Sequence, residues 1–317
     1  MAGSGSPRVS ILLPTHNRAD VIGFAIQSVL AQTFGDFELL VVGDGCTDNT
    51  AEVVRAFDDR RITWLDLPKV PGVGYANRNR ALRTAAGDII AYQAHDDLWL
   101  PDHLQRLVDG LVENEAEFAY SMSLDVSIDG HITTQVFNLH DLYVWRLWHT
   151  KHIGYLPMCN VVHRRACFEK YGHWNERLIR GGDWELWMRI IERGGRQNFA
   201  YLPLPTTLHF VADWRRGAAT WRGRLWRAMR VRETADLPEL KLALRPGVTE
   251  QETAWLDMQA APFPWSRAVR RAVQVDHDRR GTHVFRASTL MELAARAYRT
   301  IRPVYKQWPR GVTPESP

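Results

Sequence analysis

Polar and ionisable residues gather at a few points in this chain, most of them directly after an apolar run. Pro14-Thr15-His16-Asn17 follows RVSILL at 8–13, Gly43-Asp44-Gly45 follows FELLVV at 37–42, and His95-Asp96-Asp97 follows DIIAYQ at 88–93. Hydroxyl, imidazole, amide and carboxylate groups in that combination are what a nucleotide site needs. Further along, Gly181-Gly182-Asp183-Trp184-Glu185 sets two acids behind a glycine pair. The glycines permit a tight, close-approach loop, and a carboxylate at a helix start is stabilised as the anion by the helix dipole. Each cluster also has a plain structural use. Asn17 and Asp48 can cap helices, Asp44-Gly45 can form a turn, and Asp96-Asp97 can close a strand-to-helix turn.

The intervening residues supply the elements that must place these groups. Residues 8–13, 37–42, 62–67 and 88–93 read as short buried strands, rich in β-branched and apolar types. Between them, 19–32, 48–57 and 75–86 show helical spacing, and a further helix starts near Pro101. Four alternations in the first 113 residues imply βαβ crossovers and a mostly parallel sheet covered on both faces. Ligands in such sheets bind beyond the carboxyl ends of the strands, where the first three polar clusters lie. The second half is less regular. Strands are expected around a turn at Asp129-Gly130 and at 159–163 and 198–202, with helices near 164–171 and 183–193. From about 218 the pattern is helical and polar, interrupted by Pro246, Pro262 and Pro264.

Composition narrows the class. The 317 residues are 45% hydrophobic and 24% charged, with a net charge of +4, as in an ordinary globular protein. Cys46, Cys159 and Cys167 are too few for a disulfide framework and lack metal-type spacing. No apolar stretch is long enough to span a bilayer, and the opening MAGSGSPR does not read as a secretory leader. These features point to a cytoplasmic protein. Arginine is crowded into 214–232, where seven Arg and three Trp occur without an acid. On a helix, Trp221, Leu225 and Met229 form one apolar line flanked by Arg. That is the pattern of an interfacial helix at an anionic leaflet. A solvated helix and a partner-binding helix fit it as well. No nucleic-acid recognition motif accompanies the arginines.

The segments VSILLPTHNR, FELLVVGDGCTDNT, NRNRALRTAAGDIIAYQAHDDLWLPDHL and GGDWELWMRI occur in that order. Together they resemble family-2 inverting glycosyltransferases with the GT-A, nucleotide-diphospho-sugar transferase fold. The resemblance covers roughly residues 8–212. It implies an α/β fold with a mostly parallel sheet between helices, plus a C-terminal helical extension. The expected division is a tail at 1–7, a GT-A domain at 8–213 (nucleotide half 8–113, acceptor half 114–213) and the extension at 214–317.

The resemblance also assigns roles. Pro14, Thr15, His16 and Asn17 would contact base and ribose, with His16 at the stacking position. Asp44 matches the uracil-binding acid of the family, although Gly43 stands where relatives usually carry another acid. Arg78-Asn79 matches the Arg-Asn pair facing the diphosphate, and Arg80 and Arg83 are expected in solvent. The family's Asp-x-Asp falls on Ala94, His95 and Asp96, so the first acid is missing. Asp96 is the expected metal ligand, with His209 as a further ligand of Mn2+ or Mg2+. His95 is placed either to stand in for the missing acid against the donor or to pack, and Asp97 either to orient the loop or to contact the donor sugar. Asp183 is the expected base, with Glu185 as its rival. Glu185, Trp184 and Trp174 are candidates for the acceptor side, where Trp145, Trp148, His149, Tyr155 and Met158 also fall.

The implied function is metal-dependent, inverting transfer of a sugar from a nucleotide sugar, on this pattern a UDP-sugar. The acceptor would be a glycan or lipid-linked, in polysaccharide assembly. Peripheral attachment at the inner membrane face through 214–232 fits that acceptor, and homo-oligomerisation is left open. The alternative is a transferase-like glycan- or partner-binding protein without turnover, which Ala94 supports. A nucleotidyltransferase is disfavoured by the lack of a Gly-rich, Lys-containing phosphate loop.

Overall fold

The computed structural model describes residues 7–135, 137–151, 156–210 and 234–281. The Arg- and Trp-rich segment 214–232 lies outside the described residues, as do Tyr155 and the His149 side chain. Two compact units are separated, Met1–Ala272 and Val273–Pro317; the described part of the second is the end of one helix.

The first half folds as strand-helix repeats: β1 Val9–Thr15, α1 Ile22–Leu30, β2 Phe37–Asp44, α2 Thr50–Arg55, β3 Ile62–Leu67, α3 Tyr75–Leu82 and β4 Ile89–Tyr92. Short β5 Leu98–Trp99 and α4 His103–Glu113 follow. The rest comprises β6 Phe118–Val126, β7 Ile132–Gln135, α5 Leu142–Lys151, β8 Val161–Arg164, α6 Ala166–Tyr171, α7 Gly182–Gly194 and β9 Phe199–Phe210. Helices α8 Glu250–Ala260 and α9 Pro262–Gly281 come last.

One sheet runs β3-β2-β1-β4-β8-β6-β9-β5, with β7 paired to β6. The four N-terminal strands are parallel, as expected from their helical crossovers, with Val9 opposite both Phe37 and Ile89. Beyond β4 the sheet turns mixed, because β8 enters antiparallel to both β4 and β6 while β9 lies parallel to β6. All-parallel pairing therefore holds for β1 to β4, while the rest combines the parallel β6–β9 pair with antiparallel ones.

Strand alternation divides the core in two. Val9, Ile11 and Leu13 face one layer with Ile22, Ile26 and Val29 of α1 and Leu104, Leu107 and Leu111 of α4. Leu12, Leu40 and Tyr92 face the other, built on Tyr75, Trp148, Trp174 and Trp187. Helix α5, which periodicity did not reveal, supplies Trp148, fully buried in that second layer.

The break expected at Pro262 and Pro264 is the junction between α8, which ends at Ala260, and α9. Both prolines occupy the first turn of α9, where a missing N–H costs nothing. Thr249 caps α8 by accepting the Glu252 N–H at 3.1 Å. Arg270 of α9 reaches Asp102, donating through Nη1 at 2.8 Å and Nη2 at 2.6 Å, and its Nε donates to the Pro205 carbonyl at 3.0 Å.

Candidate functional site

The parallel strands end together, and their polar ends meet. His16 is exposed, but its Nδ1 is 2.8 Å from the Asp44 carbonyl. Asn17 sits at φ 51°, in the left-handed region that Asn tolerates. Its Oδ1 accepts the Thr47 N–H at 2.8 Å, so it fastens the β1 loop to the β2 loop. It does not cap α1, whose N-cap is Val21. His95 joins the third strand end to the first: its Nε2 accepts from Arg18 Nε at 3.3 Å, and its Nδ1 lies 3.2 Å from the Pro14 carbonyl. Thr15 is buried at 3% exposure, and its Oγ1 has no partner among the described residues. An orphaned buried hydroxyl at a strand end is an open hydrogen-bonding position.

Asp44 ends β2 with its side chain only 8% exposed. It accepts from the Val70 N–H at 3.0 Å, from Asn77 Nδ2 at 2.7 Å, and from Lys69 Nζ in a close ion pair. The carboxylate is therefore held rigidly, and any base reaching it meets Lys69 as well. Lys69 and Asn77 were not anticipated. The signal was available, because the loop PKVPGVG at 68–74 closes β3 just as the other clusters close β1, β2 and β4.

Arg78 points inward while Arg80 and Arg83 lie in solvent, since residues two apart diverge on a helix. Its guanidinium sits 4.9 Å from the ring centroids of both Tyr75 and Trp174. Among the described residues it forms no ion pair, and its Nε has no hydrogen-bond partner. Burial lowers its pKa, and the Tyr75 and Asp183 charges work against that. Asn79 differs from expectation. It is buried, its Nδ2 donates to the Trp174 carbonyl at 2.9 Å and to Glu176 Oε1 at 2.8 Å, and its Oδ1 accepts the Trp174 N–H at 3.1 Å. It ties two segments together and is closed to a donor.

The two acids after β4 separate by environment. Asp96 keeps a side chain 19% exposed. Asp97 is 1% exposed, accepting from the Phe210 N–H at 3.0 Å and pairing with His209 Nδ1 at 2.9 Å. Of the two roles expected for Asp97, these contacts fit orienting the loop rather than touching the donor. Burial alone would raise the Asp97 pKa, but His209 outweighs it and holds the carboxyl low; in return Asp97 overcomes the burial of His209 and holds the imidazole high.

Cys159 lies with Asp97 and His209 in a group of potential ligand atoms within 4.8 Å of one another. Burial keeps its thiol protonated, and its Sγ donates to Asn160 Oδ1 at 3.3 Å. A buried protonated thiol is a poor ligand, so this trio is a packed hydrogen-bonding set. Of the two acids, Asp96 is the more exposed, and a carboxylate is the ligand type a hard divalent cation takes.

The glycine pair and Asp183 open α7, with Gly181 in the left-handed region at φ 74°. Asp183 is half-buried and forms no ion pair among the described residues, whereas Glu185 is paired to Arg189 through Nε at 2.7 Å and Nη2 at 3.0 Å. The structure thus favours Asp183 as the available carboxylate. Trp174 is 2% exposed and packs edge-on to Tyr92 and Trp187. It is core, which removes it from the acceptor candidates; Trp184 is partly buried against the same core.

Comparison with known proteins gives the family and the fold. The description of glycosyl transferase family 2 matches residues 10–172. WfgD of Escherichia coli, a UDP-Glc:alpha-D-GlcNAc-diphosphoundecaprenol beta-1,3-glucosyltransferase, is 38% identical over 112 residues, covering 35% of this chain and 44% of WfgD. A putative teichuronic acid biosynthesis glycosyltransferase of Bacillus subtilis, TuaG, is 32% identical over 117 residues, 36% of this chain and 46% of TuaG. The chain thus spans less than half the length of these two relatives. S. aureus TarS residues 1–349 with UDP-GlcNAc superimposes with a TM-score of 0.55 at 18% identity, covering 75% of this chain and 68% of that one. The fold is the GT-A type.

Proposed function

The chain belongs to glycosyl transferase family 2, and from that premise we propose that it transfers a sugar from a UDP-sugar to an acceptor hydroxyl with inversion. The observation that carries the proposal is Arg78, a buried guanidinium that forms no ion pair among the described residues, on the helix whose Asn77 holds Asp44 and whose Tyr75 reaches α7. A buried cation that is only partly compensated is costly, and a diphosphate would complete the compensation.

In this reading His16 and Asp44 take the nucleobase and Thr15 offers its orphan hydroxyl to the nucleoside. Arg78 faces the diphosphate. Asp183 accepts the acceptor's hydroxyl proton while that oxygen bonds to the anomeric carbon and the bond to the diphosphate breaks. Attack opposite the leaving group inverts the centre. A divalent cation held by Asp96 and His209 would neutralise charge on the departing diphosphate. His95 braces the strand ends where relatives carry the acid replaced by Ala94. The acceptor is proposed to be a glycan on a lipid diphosphate, because WfgD is named for such an acceptor. Residues 8–213 are proposed as the transferase domain and 214–317 as an extension, with 214–232 as its membrane contact.

Calorimetric titration with UDP, with and without Mn2+, tests the donor site. Metal-dependent binding weakened by Asp96→Ala and Asp44→Ala is expected. Absence of nucleotide binding overturns it. Ala94 favours one second reading, a binding protein without turnover; donor binding with no transfer to water or to an alkyl-diphosphate-linked GlcNAc would favour that one.

A further inference from the structure

Helix α7 carries Asp183 yet has no capping side chain of its own, because Gly181 precedes it. The first N–H groups of a helix need partners from elsewhere. The Gly182 N–H donates to the Tyr75 hydroxyl at 2.7 Å, across 107 residues of sequence. Tyr75 is 2% exposed, so this bond is shielded from water. A Cβ on Gly182 would stand 2.6 to 2.9 Å from Tyr75 ring atoms. The ring therefore lies flush against the backbone that bears Asp183, and only glycine fits there.

The same ring touches the donor side. It stacks on Trp174 with centroids 5.4 Å apart and planes 8° from parallel. The Arg78 guanidinium lies 4.9 Å from both rings. One turn along α3, Asn79 binds the backbone of Trp174 on both sides of its amide. Loop 68–74 completes the contact, since a Cβ on Gly72 would meet the Ile179 backbone at 2.8 Å. One helix thus grips the approach to α7 while its Asn77 holds Asp44.

We propose that Tyr75 is a positioning residue for Asp183, fixing the start of α7 through the Gly182 N–H and linking it to the Arg78 region where the diphosphate binds. The inference rests on the roles of Arg78 and Asp183 proposed above. Diphosphate drawn to Arg78 tightens the Arg78–Tyr75–Trp174 packing, and the Tyr75 hydroxyl carries that order to the backbone of Asp183. Donor binding and base placement are then one event.

Tyr75→Phe keeps the ring and removes the hydroxyl. Hydrogen-exchange mass spectrometry should show peptides covering 180–186 exchanging about tenfold faster without nucleotide, since one protecting bond is lost. UDP should slow exchange there in the wild type and fail to do so in the variant. Hydrolysis of UDP-glucose should fall at least tenfold in kcat, with UDP affinity within about twofold of wild type. Gly182→Ala, which forces the ring away, should give the same split and serves if Tyr75→Phe folds poorly. Wild-type exchange and turnover in both variants overturns the proposal. So does a loss of UDP affinity as large as the loss of turnover. Failure of wild-type protein to bind UDP overturns the donor reading, and full activity of Asp183→Asn overturns the base reading. The nucleotide-free exchange result judges Tyr75 in either case.

Discussion

Replacing Arg78 with Met should make the protein more stable and less able to bind nucleotide. Methionine is long, flexible and close enough in volume to fill the slot between Tyr75 and Trp174. Burying an ion costs several kcal/mol after relaxation, and the partnerless Nε of Arg78 adds ~1–3 kcal/mol. Two ring contacts at 4.9 Å return ~0.5–2 kcal/mol each. The nearby Asp183 charge offsets a further part without forming an ion pair. The balance favours Met by ~1–3 kcal/mol in nucleotide-free protein. At about 2–4 °C per kcal/mol for a domain near this size, the melting temperature should rise by several degrees. A charge-assisted hydrogen bond contributes ~1.5–3 kcal/mol, so UDP affinity should fall by at least tenfold. Differential scanning fluorimetry with and without UDP reads both effects. A variant that melts below wild type, or that keeps wild-type UDP affinity, would refute the reasoning that this cation is held strained for a diphosphate.

Three further outcomes are expected. Asp183→Asn should abolish transfer, whereas Glu185→Gln should retain at least a tenth of kcat, because Glu185 is already committed to Arg189; initial rates with UDP-glucose distinguish them. Burial pushes His103 down to about 3 and His163 down to about 4. The unfolded chain binds these protons first, so the stability of the neutral rings is complete above pH 6.5. It is lost from pH 6.5 down to about 4 for His163 and about 3 for His103, at about 1.4 kcal/mol per pH unit for each histidine. A flat urea midpoint from pH 7 to 5 would contradict this, and His163→Gln should lessen the slope. Burial opposes ionisation of Asp102, but Arg270 and Arg106 hold it down at about 2. That stability is present above pH 3.8 and lost towards pH 2. Arg270→Ala should therefore cost ~1–2 kcal/mol at pH 7, discounted for the partial exposure of the pair, and much less at pH 2.5 by urea titration.

The nucleotide half was legible because its elements are local. β-branched runs such as VSILL and FELLVV need no distant partner to be recognised as buried strands, and their alternation with amphipathic helices forces parallel pairing. Helical geometry allowed only one of Arg78 and Arg80 to face the site, and the resemblance chose Arg78. Beyond β4 the signal weakens. β8 has four residues, and its antiparallel insertion depends on which strand edge remains open. Helix α5 mixes polar and aromatic residues without a clean period, and its Trp148 finds its layer only through neighbours distant in sequence.

Sequence by itself thus determined that Asp44, Asp96 and the Pro14-Thr15-His16-Asn17 group stand at strand ends, since residue type and period are properties of a short segment. Only the tertiary structure decided between adjacent acids. Asp96 and Asp97 are equivalent as letters, but one backbone step turns Asp97 into the core beside His209 and leaves Asp96 towards solvent. It also decided that Asn79 and Trp174 serve packing, that Lys69 closes on Asp44, and that Tyr75 meets Gly182. Those are contacts between residues tens to a hundred positions apart, set by how helices lie on a sheet, and no local spacing encodes them.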